Sequence, residues 1–146
     1  MSYLVDTNVL LRSIHRTHPM YEDAARAIKI LLGRGEELCI IPQNLIEFWA
    51  VATRPVAANG LGLTIDQTTR RLRRLKRLFK LQPDTPAIFT EWEKLVIQYQ
   101  VIGKPTHDAR LVAGMIAHNL THILTFNTDD FKRFSSITAV DPASVK

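Results

Sequence analysis

Four carboxylates occupy positions in the chain from which they could act on one reactive centre: Asp6, Glu47, Asp108 and Asp130. Asp6 directly follows the short apolar run at residues 3–5, and Glu47 lies a helical turn after a second such run. Carboxylates gathered in one place raise each other's pKa values, which costs stability unless a divalent cation compensates their charge. Ligands that are all oxygen suit Mg²⁺ or Mn²⁺ better than a structural Zn²⁺. Such a site can activate a metal-bound water for phosphodiester cleavage.

Each acid also has a simpler explanation when it is considered alone. Asp6 is a good helix N-cap, and Asp108 would be stabilised by the dipole at the start of a helix. Asp130 would cap a short polar turn, and Glu47 would be a surface residue of its helix. The immediate neighbours of Glu47 in the chain are apolar, however, and an unpaired carboxylate is costly in such a stretch. None of these explanations accounts for the joint placement of the acids near strand ends.

The elements that would position the acids follow from the pattern of apolar residues. Short apolar runs predict strands at residues 3–5, 38–41, 81–83, 123–126 and 137–140. Helical spacing, with start and stop residues, predicts helices at residues 19–33, 44–54, 64–79, 86–102 and 106–120. Pro19 is expected at a first helical position, and Leu78 and Phe89 are expected on the inner faces of their helices.

The strands alternate with helices and lack an in-out alternation of apolar and polar residues. This pattern is typical of a parallel sheet with helices on both faces. Ligands of such sheets bind beyond the carboxyl ends of the strands. The sequence therefore predicts that the acids gather at one edge of the sheet.

Size and composition predict one globular domain over residues 1–146, with 46% hydrophobic and 23% charged residues. No apolar run approaches the roughly 20 residues that a membrane helix needs, so no membrane partner is expected. The first residues lack the pattern of a secretory signal, which favours a cytoplasmic location. The single cysteine, Cys39, lies among apolar neighbours and is expected in the core.

The positive charge of the chain is concentrated in one segment. Seven of the 19 Lys and Arg residues lie at positions 70–80, where there is no acid, and the other 12 are outnumbered by 14 acidic residues. The seven are the candidate RNA-binding residues: Arg70, Arg71, Arg73, Arg74, Lys76, Arg77 and Lys80. A solvated amphipathic helix is the simpler explanation, but such a helix normally carries charges of both signs. The local excess favours a polyanionic partner.

Four segments carry a family resemblance that spans nearly the whole chain. They are YLVDTNVL at residues 3–10, IPQNLIEFW at 41–49, HDARLVA at 107–113 and ILTFNTDDF at 123–131. In this order they resemble the PIN-domain ribonucleases, especially the VapC-type toxins of prokaryotic toxin–antitoxin pairs. The resemblance implies a three-layer α/β/α sandwich around a mostly parallel sheet of four to five strands. It also implies a homodimer.

The resemblance further implies a set of site residues. Asp6, Glu47 and Asp108 would form a triad that binds Mg²⁺ or Mn²⁺. Asp130 would be the fourth ligand, with Asp129 as a competing candidate. The supporting polar residues would be Thr7, Asn8, Thr125 and Asn127.

The function implied by the resemblance is that of an endoribonuclease toxin. Its substrate would be RNA, such as a tRNA or another structured RNA, and an acidic segment of a cognate antitoxin is a second candidate partner for the basic helix. Two other functions remain open at this point. The chain could be a catalytically silent RNA-binding module, or a phosphoryl-transfer domain with Asp6 as the nucleophile. The latter would want a second Asp two residues after Asp6, where the chain has Asn8.

Overall fold

The computed structural model describes residues 1–146. Its five strands are β1 (Ser2–Val5), β2 (Glu37–Ile40), β3 (Lys80–Leu81), β4 (His122–Leu124) and β5 (Thr138–Val140). Its six α-helices are α1 (Thr7–Arg12), α2 (Tyr21–Gly33), α3 (Pro42–Thr53), α4 (Ile65–Leu78), α5 (Pro86–Gln98) and α6 (Thr106–Ala117). Short 3-10 helices cover Val56–Ala58, Thr128–Phe131 and Pro142–Ser144.

The five strands form one sheet in the order β3-β2-β1-β4-β5, and every neighbouring pair is parallel. Leu4 of the central strand is in register with Cys39 on one side and Ile123 on the other. All five strands therefore end at the same edge of the sheet. The parallel α/β fold predicted from the sequence is confirmed, with five strands.

Successive residues of the inner strands enter two separate cores, one on each face of the sheet. Tyr3 and Val5 pack with α1, α2, α3 and α4, while Leu4 packs with α5 and α6. Both faces of a strand are thus apolar, which explains the continuous apolar runs in the sequence. Cys39 is fully buried in the second core, as expected. No helix is long and apolar enough to cross a membrane.

Three expectations about the helices are wrong. The second helix begins at Tyr21, because a turn in which the Tyr21 N–H donates to His18 O occupies the region of Pro19. Leu78 is 46% exposed, since only one narrow side of α4, with Leu75, faces the core. Phe89 is 64% exposed on α5. Helical spacing identifies an apolar side but not how much of it is covered.

Candidate active site

Asp6 lies where β1 passes into α1, and its carboxylate is held on both oxygens. Oδ1 accepts a hydrogen bond of 2.7 Å from the Thr7 backbone N–H, which makes Asp6 the N-cap of α1. Oδ2 accepts a hydrogen bond of 2.8 Å from the Thr125 hydroxyl. The residue is 7% exposed. Asp6 therefore caps α1, as its simpler explanation proposed, and it is also buried at the edge of the sheet.

Thr125 follows β4 and links several of the predicted supporting residues. Besides donating to Asp6, its Oγ1 accepts from the Asn127 N–H at 3.0 Å and from Asn8 Nδ2 at 3.4 Å. Asn8 Oδ1 in turn accepts from the Phe126 N–H at 3.4 Å. These bonds fix the loop after β4 against the start of α1. Asn127 contributes its backbone here, and its side chain is exposed.

Glu47 is positioned by the first two turns of α3. The Thr7 hydroxyl donates to Glu47 Oε1 at 2.9 Å, and Asn44 Nδ2 donates to the same Thr7 oxygen at 3.4 Å. Asn44 is fully buried, and its Oδ1 accepts from the Ile41 N–H at 2.9 Å at the start of the helix. Thr7 therefore joins the helix after β1 to the helix after β2. The predicted supporting role of Thr7 corresponds to a direct contact with Glu47.

Asp108 lies in the first turn of α6 and is half-buried. Gly114 allows this helix to pack closely on the end of β2. A Cβ at Gly114 would come within 2.7 Å of Ile41 Cδ1, so a larger residue would require the Ile41 side chain to shift. Close packing of α6 brings Asp108 to the side of the sheet edge where Glu47 lies.

The carboxylates influence one another electrostatically. The pKa of Asp6 is raised to about 6, mainly by burial; hydrogen bonds from Thr125 and Thr7 oppose the shift, and the charges of Asp108 and Glu47 add to it. The pKa of Asp108 is also raised to about 6, by burial and then by the charges of Asp130 and Glu47. Four acids from separate parts of the chain thus share one electrostatic environment, which we call the carboxylate cleft: Asp6, Glu47, Asp108 and Asp130.

The structure distinguishes the two candidates for the fourth acid. Asp129 is fully exposed and forms a 2.5 Å ion pair with Lys132, which lowers its pKa. Asp130 instead has the largest electrostatic effect of any charged group on Asp108. Asp130 therefore interacts electrostatically with Asp108, and its role as the fourth ligand stays a prediction.

Comparison with known proteins identifies the family to which this fold belongs. A family model described as PIN domain matches residues 3–137. The chain belongs to the PIN domain family. VapBC2 from Rickettsia felis, solved bound to a DNA fragment from its promoter, superposes with a TM-score of 0.71 at 18% identity, covering 97% of this chain and 98% of that one. VapC20 from Mycobacterium tuberculosis, a sarcin-ricin loop cleaving toxin, gives a TM-score of 0.66 at 16% identity, with coverages of 90% and 95%. A search of curated protein sequences found no match to the chain.

The four acids of the carboxylate cleft fit a metal ion in their chemistry but not in their present side-chain positions. As the side chains lie, no three carboxylates, histidines or cysteines converge closely enough to hold an ion. The chemistry of the donors nevertheless fits a hard divalent cation, because every candidate ligand is a carboxylate oxygen. The pKa values of Asp6 and Asp108 are raised first by burial and then by neighbouring acids, and a cation beside them would favour their ionised forms.

Two residues of the site were missed by the sequence analysis. Gln43 is 8% exposed, and its side chain contacts Glu47, Arg110 and the His107 carbonyl. Its spacing of four residues from Glu47 was an available signal, since such residues are neighbours on a helix. No local pattern marks Arg110, because its contact with Gln43 joins residues 67 positions apart.

The basic segment of this PIN domain lines a surface that contains none of the four acids of the carboxylate cleft. Five arginines of α4 line one concave surface with Leu63 and Gln67, and we call them the arginine surface: Arg70, Arg71, Arg73, Arg74 and Arg77. None of the five forms an ion pair. Lys76 is also exposed and unpaired, whereas Lys80 belongs to β3 and pairs with Glu37 at 3.6 Å. Six of the seven basic residues of positions 70–80 therefore lie on α4, and Lys80 lies on β3.

Proposed function

We propose that this PIN domain is a divalent-metal-dependent endoribonuclease that acts as the toxin of a toxin–antitoxin pair. The observation that carries the proposal is the electrostatics of the carboxylate cleft. Burial and neighbouring acids raise the pKa values of Asp6 and Asp108 to about 6, at the edge of a parallel sheet where ligands bind. Ionised carboxylates held close together repel one another and lower the stability of the protein, and a bound cation would offset this repulsion.

The four acids would hold Mg²⁺ or Mn²⁺, and each would contribute carboxylate oxygens. Asp6 and Glu47 are fixed by hydrogen bonds from Thr125 and Thr7, so they supply the rigid side of the site. Asp108 is half-exposed and Asp130 exposed, so both are free to turn towards the ion. When bound, the ion lowers the pKa of a coordinated water and compensates charge on the phosphate under attack.

RNA is the substrate class that the arginine surface supports, with a tRNA or another structured RNA as the proposed target. Its five guanidinium groups are free of protein anions and can therefore neutralise phosphates and release counterions. RNA binding should weaken steeply as the salt concentration rises. A receptor for a neutral small molecule would show no such salt dependence.

A cognate antitoxin is the proposed protein partner. A similar structure from Klebsiella pneumoniae is described as a toxin–antitoxin complex. A groove between α1, α2 and α4 of this chain suits an acidic amphipathic segment. Apolar side chains such as Ile14, Ile28 and Leu75 line it, and Arg71 and Arg74 stand beside them. Because these two arginines also belong to the arginine surface, antitoxin and RNA would compete for them.

A homodimer is the proposed assembly. Ile46 of α3 is 69% exposed and Phe89 of α5 is 64% exposed, and exposed apolar side chains that lie close together can mark an interaction site. Both border depressions that share His107 and Arg110. Light scattering of the purified chain should give the mass of a dimer, and replacing Ile46 and Phe89 by Ser should give the mass of a monomer.

Metal dependence of RNA cleavage tests the proposed function. Purified protein should cleave total tRNA with Mg²⁺ or Mn²⁺ and should be inactive in EDTA. The folded Asp108→Asn variant, which should be inactive, serves as the control for contaminating nucleases. Full cleavage in EDTA would overturn the metal mechanism. RNA retention without cleavage at any metal concentration would identify the chain as a silent RNA-binding module.

A further inference from the structure

Gln43 is a nearly buried amide that connects the two helices bearing Glu47 and Asp108. It lies on α3, and its Nε2 donates to the His107 carbonyl of α6 at 2.9 Å and towards Glu47 Oε2 at 3.5 Å. Its Oε1 accepts from Arg110 Nη1 of α6 at 3.0 Å. One side chain thus contacts an acid of the cleft and the residue that precedes another.

The chemistry of the partners determines which way this amide faces. A guanidinium group only donates hydrogen bonds, so Arg110 must be met by the amide oxygen. A backbone carbonyl only accepts, so His107 must be met by the amide nitrogen. The NH₂ group of Gln43 is therefore directed to the side on which Glu47 lies. A flipped amide would lose both of the shorter hydrogen bonds.

Arg110 is itself held from the far side. Its Nη2 lies 3.5 Å from Asp84 Oδ1, while Nη1 donates to Gln43. The planar guanidinium group thereby joins an acceptor in the loop before α5 to the amide on α3. A lysine carries its charge at a single point and does not reproduce this two-sided arrangement.

We propose that Gln43 and Arg110 are a positioning pair, which fixes the Glu47 carboxylate relative to Asp108 in the geometry that a divalent cation requires. This inference rests on the proposed function, since it assigns the pair to the same metal site. Neither residue is a metal ligand. They act through the orientation of Glu47.

The alternative is that the pair only joins α3 to α6 and contributes to stability alone. The two roles differ in their effect on metal binding. Partners that orient metal ligands typically change metal affinity by about 10- to 100-fold when they are removed. A purely structural link would lower the melting temperature and leave the metal affinity of the folded protein unchanged.

Titration of the full-length protein with Mn²⁺, followed by electron paramagnetic resonance of the free ion, separates these roles. Methionine matches the length of glutamine without its amide, so Gln43→Met should raise the Kd for Mn²⁺ about tenfold. Gln98→Met is the matched control, because Gln98 is exposed on α5, and it should leave the Kd unchanged. Arg110→Met should act in the same direction as Gln43→Met, and it tests the pair again if Gln43→Met fails to fold.

A double-mutant cycle with Glu47→Gln shows whether the pair acts through Glu47. Adding Gln43→Met to Glu47→Gln should change the Kd for Mn²⁺ less than twofold. A folded Gln43→Met protein with the wild-type Kd would overturn the inference while leaving the proposed function intact. So would a full tenfold effect of Gln43→Met in the absence of Glu47. Failure of the wild-type protein to bind Mn²⁺ would instead overturn the proposed function, and the inference with it.

Discussion

The carboxylate cleft and the arginine surface carry opposite charges and are built in opposite ways. Asp6 and Glu47 accept hydrogen bonds from Thr125 and Thr7, which come from other segments of the chain. The arginines stand on the single helix α4, make no ion pairs and project into solvent. Bond cleavage requires atoms held in fixed positions, whereas recognition of phosphates requires mainly positive charge. We infer that the cleft performs chemistry and that the arginine surface binds the substrate.

The two regions also differ in what they cost the fold. Asp6 is 7% exposed and its pKa is raised to about 6, so ionising it in the folded protein costs free energy. Exposed arginines remain hydrated, and their repulsion is screened by salt. The ionised cleft therefore costs stability, which protonation or a bound cation would offset, while the arginine surface is nearly neutral for stability.

The largest expected effect is a loss of cleavage without a loss of RNA binding. Glu47→Gln keeps the shape of the side chain and its bond from Thr7 but removes the charge. Cleavage should fall by about a thousandfold, since metal assistance contributes several kcal/mol to such reactions. RNA affinity in EDTA should be unchanged in filter binding. If Glu47→Gln lowered cleavage and RNA affinity equally, the assignment of catalysis to the cleft and of RNA binding to the arginine surface would be wrong.

The second prediction concerns stability and pH in the absence of metal. Because the folded-state pKa of Asp6 is about 6 against an ordinary 3.8, the folded protein binds the proton more tightly than the unfolded chain. The contribution of this group is thus favourable below about pH 4 and is lost as the pH rises to about 6. In EDTA at pH 7, Asp6→Asn should raise the free energy of unfolding by roughly 2–3 kcal/mol.

Urea denaturation at pH 4 and pH 7 measures this effect. The difference between Asp6→Asn and wild type should vanish at pH 4. Adding Mn²⁺ at pH 7 should stabilise the wild type and leave the variant unchanged. If Asp6→Asn is instead less stable than wild type at pH 7 in EDTA, Asp6 is only a helix cap and the cleft carries no charge cost.

The third prediction tests the arginine surface. Replacing Arg73 and Arg74 by Gln should weaken RNA binding about tenfold at moderate salt and reduce the slope of log K against log salt by about 1.4. The cleavage rate at saturating RNA should be unchanged. Arg26→Gln is the control, because Arg26 lies on α2 and pairs with Asp23. An unchanged salt slope in the double variant would assign RNA binding to another surface.

The smallest expected effect separates two adjacent acids. Asp129 is fully exposed and paired with Lys132, so Asp129→Asn should change cleavage by less than about twofold. Asp130→Asn should lower it by about tenfold, because Asp130 acts on Asp108. Single-turnover rates for both variants provide the measurement. The reverse order would place the fourth acid at Asp129.

The positions of most helices and strands were predictable from local sequence. Apolar runs, turn residues and the capping box at Thr64 and Gln67 locate the elements to within a few residues, because these signals act over one or two helical turns. The two-core parallel fold follows from strands that are apolar on both sides. The exposure of Leu78 and Phe89 was not predictable, since it depends on which neighbours cover each helix.

The sequence by itself determined the fold class and predicted the candidate acids, because strand ends and helix starts are encoded locally. Only the tertiary structure decided which acids influence one another, and it favoured Asp130 over the adjacent Asp129. It also disclosed Gln43 and Arg110, whose contact joins distant parts of the chain. The physical reason is that hydrogen bonds and charge interactions act through space. Their partners exist only once parallel strands and close helix packing have brought separate segments to one edge of the sheet.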